Sequence, residues 1–515
     1  MQNQTDYDVV AYPSYTHPQT LPDRLAVIAG LFGLDPAPPT RCRVLELGCG
    51  NGTNLIPMAW ALPKSEFTGI DLAAKPIASG NEMLQALGVS NTRLVHGSIT
   101  GIDKTWGEFD YIIAHGLYSW VPADVQEHLL KICRDHLSPQ GIAFVSYNAL
   151  PGCQLRKMLR DMMLFHVRGF NSPEDRIKQS LALVRFLADA QDTDDGYRLW
   201  LKAEAKRITE HSEGHLYHDE LAEFNEPLYF SQFMERAARH DLQYVGEADY
   251  FEMSDHIFKD AVQKTLDQLS GNRILREQYL DFLKCRRFRQ TLLCHRDASV
   301  QPEASPDQIS RFFISSAAES HNSLTPGKPG SRHEFVTPKG AKIETDFALG
   351  QAALLVLNKV WPQPLAFDEL FEKTRAHLGQ GDILATAEAA ALRLFLLQLY
   401  AAGIVEFRAS APRFTTVITE RPVASPVARW QAAHGDFVTS LFHVVVKVED
   451  EIGRQLLTWL DGSLDRKTLG DRLWHFLKSK GALPTGSNEA SVRQKLESDL
   501  EQNLAKLARL GLLVK

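Results

Sequence analysis

The chain has 515 residues, more than one hydrophobic core usually accommodates, so its length predicts two to four domains. A composition of 44% hydrophobic, 23% charged and 9% aromatic residues excludes disorder as the default state. The net charge of -7, with Lys and Arg scattered along the chain, provides no basic footprint for a polyanion and argues against a nucleic-acid partner.

Cys42, Cys49, Cys133, Cys153, Cys285 and Cys294 form no CxxC pair and have no histidines at zinc-ligand spacing. They read as reduced thiols, with no metal site expected. The amino terminus MQNQTDYDVVAYPSY lacks a basic region followed by an apolar one, and no run of about 18 apolar residues occurs, so a cytoplasmic protein without a membrane segment is expected.

In chain order, the aromatic segment holding Tyr7, Tyr12, Tyr15 and His17 precedes the first predicted helix. It reads either as a lid over a ligand, with Tyr15 a contact, or as a tail docked for stability. Between residues 43 and 148, the runs RVLELG, EFTGID, TRLVHG, FDYIIAHG and IAFVSYN alternate with amphipathic stretches such as AAKPIASGNEMLQALG and ADVQEHLLKICRDHL. That alternation predicts βαβ units and a parallel sheet, placing a Rossmann-like α/β domain at 1–170. Residues 171–300 carry long helical patterns and few strand signals, so a mainly helical domain is expected. Ser, Pro and Gly between 301 and 345 read as a linker or irregular segment. Two further helical units follow, at 346–425 and 426–515. They repeat one order of helices and a strand-like end, compatible with winged-helix-like packing but without a basic recognition helix.

The peptide Val44-Leu45-Glu46-Leu47-Gly48-Cys49-Gly50-Asn51-Gly52 ends an apolar strand with glycines where the backbone must turn and approach a ligand. Asp71 and Leu72 end the next strand about twenty residues later, where a carboxylate accepts both hydroxyls of a ribose. Asp71 also reads as a cap for the following helix. The glutamate-first form without GxGxxG favours S-adenosyl-L-methionine over a dinucleotide. Gly97 and Ser98 end the third strand, where an adenine is usually framed, although Ser98 reads equally as a turn residue.

Ligands of such sheets sit beyond the carboxyl ends of the strands. His115, Tyr118 and Trp120 follow the fourth strand, and Tyr147 and Asn148 close the fifth. Together they predict an aromatic rim around a sulfonium and an acceptor amine, with His115 a hydrogen-bond acceptor or base that also touches the cofactor. Trp120 reads alternatively as a hydrophobic staple for the next helix. Asn148 does not stand in an Asn-Pro-Pro-Tyr box, which again lowers a nucleic-acid reading.

The segments YDVVAYPSYTHPQTLPDRLA, HGLYSWVP, SYNALPG, YHDELAEFNEPLYF and FRQTLLCHRD together resemble bacterial class I methyltransferases with a methyltransferase regulatory domain, a family that includes lysine methyltransferases of outer-membrane proteins. The resemblance implies adenosylmethionine at Glu46, Gly48, Gly50, Asp71 and Ser98, and an acceptor lysine at His115, Tyr118, Trp120, Tyr147 and Asn148. It also implies a protein substrate, a homodimer, and a middle domain holding His218, Asn225, Pro227 and Tyr229 that supplies dimer contacts and part of a substrate cleft. A small-molecule methyltransferase and a non-enzymatic cofactor-binding regulator are the competing readings.

Overall fold

The computed structural model describes residues 5–190, 195–320, 332–379, 385–483 and 488–514. Strands β1 (Arg43–Leu47), β2 (Glu66–Asp71), β3 (Thr92–His96), β4 (Phe109–Ala114) and β5 (Leu137–Asn148) form where the five predicted runs lie. They pair in parallel in the order β3-β2-β1-β4-β5. Side chains alternate between two covered faces. Val44, Tyr111, Ile113 and Phe144 pack with Leu25, Ile28, Ile77 and Met83, while Leu45, Leu47, Ile112 and Val145 pack with Leu129, Leu130 and Cys133. Burial on both faces is why these strands read as continuous apolar runs.

Two more strands, β6 (Leu242–Glu247) and β7 (Phe288–His295), extend the sheet antiparallel to a seven-stranded order ending β5-β7-β6. They come from the segment expected to be mainly helical. The run ILREQYLDFLKCRRFRQTLL divides at Cys285, whose φ of 49° ends the Arg273–Lys284 helix, and its remainder is strand. Thr291, Leu292, Leu293 and Cys294 are all buried between β5 and β6, and this burial overrides the local helical pattern. The Arg289 guanidinium is buried at the base of β7. It donates to Glu247 Oε1 at 2.5 Å, Glu277 Oε2 at 2.9 Å and Asp281 Oδ1 at 2.8 Å.

Helices Gly152–Val167, Pro173–Asp189 and Gly196–Glu210 build a separate core around Leu159, Met163, Val184, Leu201 and Ile208. Residues 301–345 differ from the linker expectation. They contain strands Phe313–Ser315, His333–Val336 and Lys342–Thr345, and Ile309, Phe312, Ile314 and Phe335 are core residues. Apolar side chains spaced among Ser and Pro were enough to anchor this stretch, while most of its SLTPGKPGSR run lies outside the described residues.

The two carboxy-terminal units each gather helices around short antiparallel strand pairings. In the first, Phe313–Ser315 pairs antiparallel with both Leu365–Ala366 and Glu406–Arg408, around helices Ala348–Val360, Phe367–Leu378 and Ala385–Ala401. In the second, Val423 and Ala424 bridge antiparallel to Asp461 and Leu513. The second unit also holds a hairpin, Phe437–Thr439 with Val445–Lys447. Helix Pro22–Leu31 joins these layers, with Leu25 and Ile28 in the sheet core and Val27 and Leu31 in the core of the first carboxy-terminal unit.

Candidate cofactor and acceptor site

The glycine loop leaves β1 with Gly48, Gly50 and Gly52 at φ of 73°, 55° and 73°, a backbone path open chiefly to glycine. The N–H groups of Gly48 and Cys49 donate to the Ile70 carbonyl at 2.9 and 3.1 Å, tying the loop to β2. A Cβ on Gly80 would lie 2.4 Å from the Asn51 carbonyl oxygen, so glycine there lets helix Ala74–Leu87 close against the loop. A Cβ on Gly50 would meet no atom within 4 Å, leaving open space above the loop.

Two carboxylates flank that space. Asp71 Oδ2 accepts from Gly50 N and its Oδ1 from Ala73 N, both at 2.8 Å, so it ties the glycine loop to the turn that leads into the next helix. Burial raises its pKa. Glu46 is 4% exposed. Its Oε1 accepts from Asn54 Nδ2 at 2.7 Å, whereas Oε2 is buried without a partner, and burial pushes the carboxyl up to about 8. A buried polar atom left unpaired is costly, and an ammonium or hydroxyl supplied by a ligand removes that cost.

The remaining predicted cofactor residues differ in what they do. Leu72 is 58% exposed beyond β2, and Gly97 N donates to the Asp71 carbonyl at 2.9 Å. Ser98 Oγ accepts from Thr100 N at 3.2 Å and caps a short turn, the ordinary role open to it in the sequence. Asn51 Oδ1 accepts from Thr53 N at 3.1 Å and shapes its own turn, while the Cys49 thiol is buried. Tyr15 stacks on His215 at 6.1 Å and lies edge-on to Phe437 at 5.5 Å. Its segment crosses the cofactor end of the sheet. Asp8 Oδ1 accepts from Lys75 N at 2.9 Å, Tyr7 stacks on His218 at 4.1 Å, and His218 Nε2 donates to the Val10 carbonyl at 2.8 Å.

On the acceptor side, the aromatic rim is corrected. Tyr118 and Tyr147 are fully buried, both packed on Phe233 at ring distances of 5.3 and 4.2 Å, in the core beneath the sheet. Tyr147 donates to or accepts from Thr291 Oγ1 at 3.2 Å. The reason is strand parity. Tyr147 shares a face with Ala143 and Val145, and Asn148 falls on the face of Phe144 and Ser146. Trp120 is half-buried in the turn Tyr118–Trp120. His115 stacks on His17 at 3.6 Å, and burial pushes its pKa down to about 3. It is therefore a neutral acceptor and far too weak a base for proton abstraction near neutrality.

Asn148 is held by its backbone and its side chain, and its backbone carbonyl accepts from Leu228 N at 3.0 Å. Its N–H donates to Ser119 Oγ and its Nδ2 to Asn225 Oδ1, each at 2.9 Å. Asn225 in turn lines an open cleft of about 550 Å³ bounded by Val121, Pro122, Leu150, Phe224 and Glu226. From sequence, His17 is placed only in the candidate lid segment, and Asn54 and His443 are not picked out. Asn54 Oδ1 accepts from His17 N at 2.9 Å and from His443 Nε2 at 2.8 Å, joining the amino-terminal segment, the glycine loop and the last domain. An asparagine at the start of the helix after a glycine loop was the one local signal for it.

Comparison with known proteins finds relatives along nearly the whole chain. Residues 44–141 match a methyltransferase domain, 212–295 a predicted methyltransferase regulatory domain, and 420–512 the PKMT C-terminal winged helix domain. The chain is 32% identical to the uncharacterized protein RP789 of Rickettsia prowazekii (strain Madrid E), over 99% of this chain and 93% of that one. It is 40% identical to RP028 of the same organism over 46% of this chain and 95% of that one. The structure of PKMT2 from Rickettsia typhi, solved alone and in complex with AdoHcy, is similar with a TM-score of 0.87 and 28% identity, covering 98% of this chain and 100% of that one. The chain belongs to the class I S-adenosylmethionine-dependent methyltransferases that carry a methyltransferase regulatory domain and a PKMT-type winged-helix domain.

Proposed function

We propose that the protein transfers methyl groups from adenosylmethionine to lysine side chains of proteins. The observation that carries the acceptor class is the cleft beside Asn148. It is open rather than closed, and Glu223, Phe224, Asn225, Glu226 and Pro227 of the middle segment form one of its walls. A polypeptide can lie along such a groove, whereas a small-molecule acceptor calls for an enclosed pocket. Val121, Pro122, Leu150 and Pro227 suit the methylene stem of a lysine, and Glu223 and Glu226 suit its approach as a cation.

Adenosylmethionine supplies an electrophilic methyl on a sulfonium. The chain's own residues fit its other groups: Asp71 the ribose hydroxyls, Glu46 Oε2 the ammonium, and the Gly48–Gly52 backbone the close approach. Apolar cleft walls disfavour the charged amine and so help deliver a neutral nucleophile. The Asn148 carboxamide, held by Asn225 while Ser119 holds the Asn148 backbone N–H, aligns it for in-line attack. Outer-membrane proteins met in the cytoplasm before export are the substrate class that the sequence resemblance supports. Exposed Phe165, Phe186 and Leu199 on the three middle helices support a homodimer through that module.

The test is transfer of labelled methyl from adenosylmethionine to an outer-membrane protein extract, with Asp71→Ala as control and mass spectrometry of the product. Methyl-lysine that disappears with the variant is expected. Cofactor binding with no labelled protein would overturn the acceptor assignment and favour a small molecule.

A further inference from the structure

The tip of the Phe437–Lys447 hairpin belongs to the last winged-helix unit, yet it ends inside the first domain. His443 is 3% exposed and sits at φ 63°, a left-handed conformation costly for a residue with a side chain. The turn is held by Ser440 N to the Val444 carbonyl at 2.9 Å and His443 N to the Ser440 carbonyl at 2.8 Å. Leu441 N donates to the Gly511 carbonyl at 2.8 Å, and Phe442 packs on Phe414 at 4.8 Å. The hairpin thus holds its strained tip rigidly, and His443 Nε2 lies 2.8 Å from Asn54 Oδ1.

The hydrogen-bond inventory fixes the roles. Asn54 Oδ1 must face the backbone N–H of His17, which can only donate, so Nδ2 faces Glu46 Oε1 at 2.7 Å and Thr20 Oγ1 at 3.0 Å. His443 must then donate from Nε2, which fixes its tautomer and completes the second acceptor position of the Asn54 carboxamide. His17 and Arg408 are the titratable or charged groups facing His443, with Arg408 paired to Asp23 at 3.4 Å. Asp71 and Cys49 are those facing Glu46.

We propose that His443 is a positioning residue of the cofactor site, acting from the winged-helix unit through Asn54 to hold the Glu46 carboxylate in its ligand-binding orientation. This rests on the reading of Glu46 as a cofactor contact. The carboxy-terminal unit is then part of the methyltransferase site, and displacement of its hairpin weakens cofactor binding. The bond from Asn54 favours the ionised Glu46, opposing the burial that pushes this carboxyl up to about 8.

The experiment is calorimetric titration of the full chain with AdoHcy between pH 6.5 and 8.5, comparing His443→Gln, which keeps an N–H donor, with His443→Leu, which has none. Thermal melting of both controls for folding, since both carry the same backbone strain. At pH 7, His443→Leu is expected to bind about tenfold more weakly than wild type, corresponding to one unit of upward shift in the Glu46 pKa. The deficit narrows toward pH 8.5, and His443→Gln restores most of the affinity. A deficit that is the same at every pH, or equal binding by His443→Leu and wild type, overturns the proposal. Glu46→Gln separates the two failures: if it too binds like wild type across the range, the reading of Glu46 itself is wrong.

Discussion

Two groups of carboxylates border the same sheet and differ in what opposes them. Glu247, Glu277 and Asp281 surround Arg289, with Arg286 Nε a further 2.9 Å from Asp281 Oδ1. Glu46 and Asp71 face an asparagine amide and backbone N–H groups instead. The consequence is visible in their proton affinities. Asp281 is raised by burial to about 6, while Glu46 is raised to about 8. Paired charges at the base of β7 fasten the last strands to the sheet; the carboxylates of β1 and β2, hydrogen-bonded but without a cation, are left for a ligand. A fold holds unmatched buried charge where function requires it.

The strongest way to break this contrast is to remove the matching cation. Arg289→Leu leaves three buried carboxylates with only Arg286 beside them, and a loss of about 3–5 kcal/mol in unfolding free energy is expected by urea denaturation. A loss below about 1 kcal/mol would show that the cluster is not structural. Tyr147 sharpens the same boundary. Tyr147→Ala opens a core cavity and costs about 3–5 kcal/mol, while Tyr147→Phe loses only the Thr291 bond, about 1 kcal/mol, and keeps its turnover. A collapse of kcat in a stably folded Tyr147→Phe protein would restore tyrosine to the acceptor rim.

Asn148→Ala is expected to lower kcat about 10- to 100-fold with AdoHcy affinity nearly unchanged, as loss of alignment should. Parallel loss of both would place Asn148 at the cofactor instead. The smallest effect separates function from stability at one residue. Glu46 binds its proton more tightly in the folded chain, so the folded state holds more protons than the unfolded one between about pH 4.3 and 8, and stability falls as pH rises through that window. Glu46→Gln removes this penalty. Its melting temperature should exceed wild type by a few degrees at pH 8 and match it at pH 4.5, checked by calorimetry without cofactor.

Much of the first five strands was legible because burial on both faces writes apolar runs into the sequence, and the Gly48–Gly52 turn with Asp71 could be placed from spacing alone. β7 was not, since FRQTLLCH follows a true helix without a proline or glycine stop, and only the gap beside β5 makes it a strand. The aromatic rim was misread for want of parity. Counting by twos from Val145 puts Tyr147 in the core and Asn148 on the other face. No local signal marked His443, which meets Asn54 across 389 positions of sequence. The middle-domain wall of the cleft was legible only as the resemblance gave it, at Asn225 and Pro227.

The central claim is that Glu46, partly protonated and with its Oε2 free of a partner, receives the cofactor's ammonium. Calorimetric titration with AdoHcy in buffers of differing ionisation enthalpy tests it directly. Between pH 6 and 8 the wild-type chain should bind more tightly as pH rises and release close to one proton at the lower end, and Glu46→Gln should bind weakly with no proton release. Affinity independent of pH, and equal in Glu46→Gln, would contradict the account.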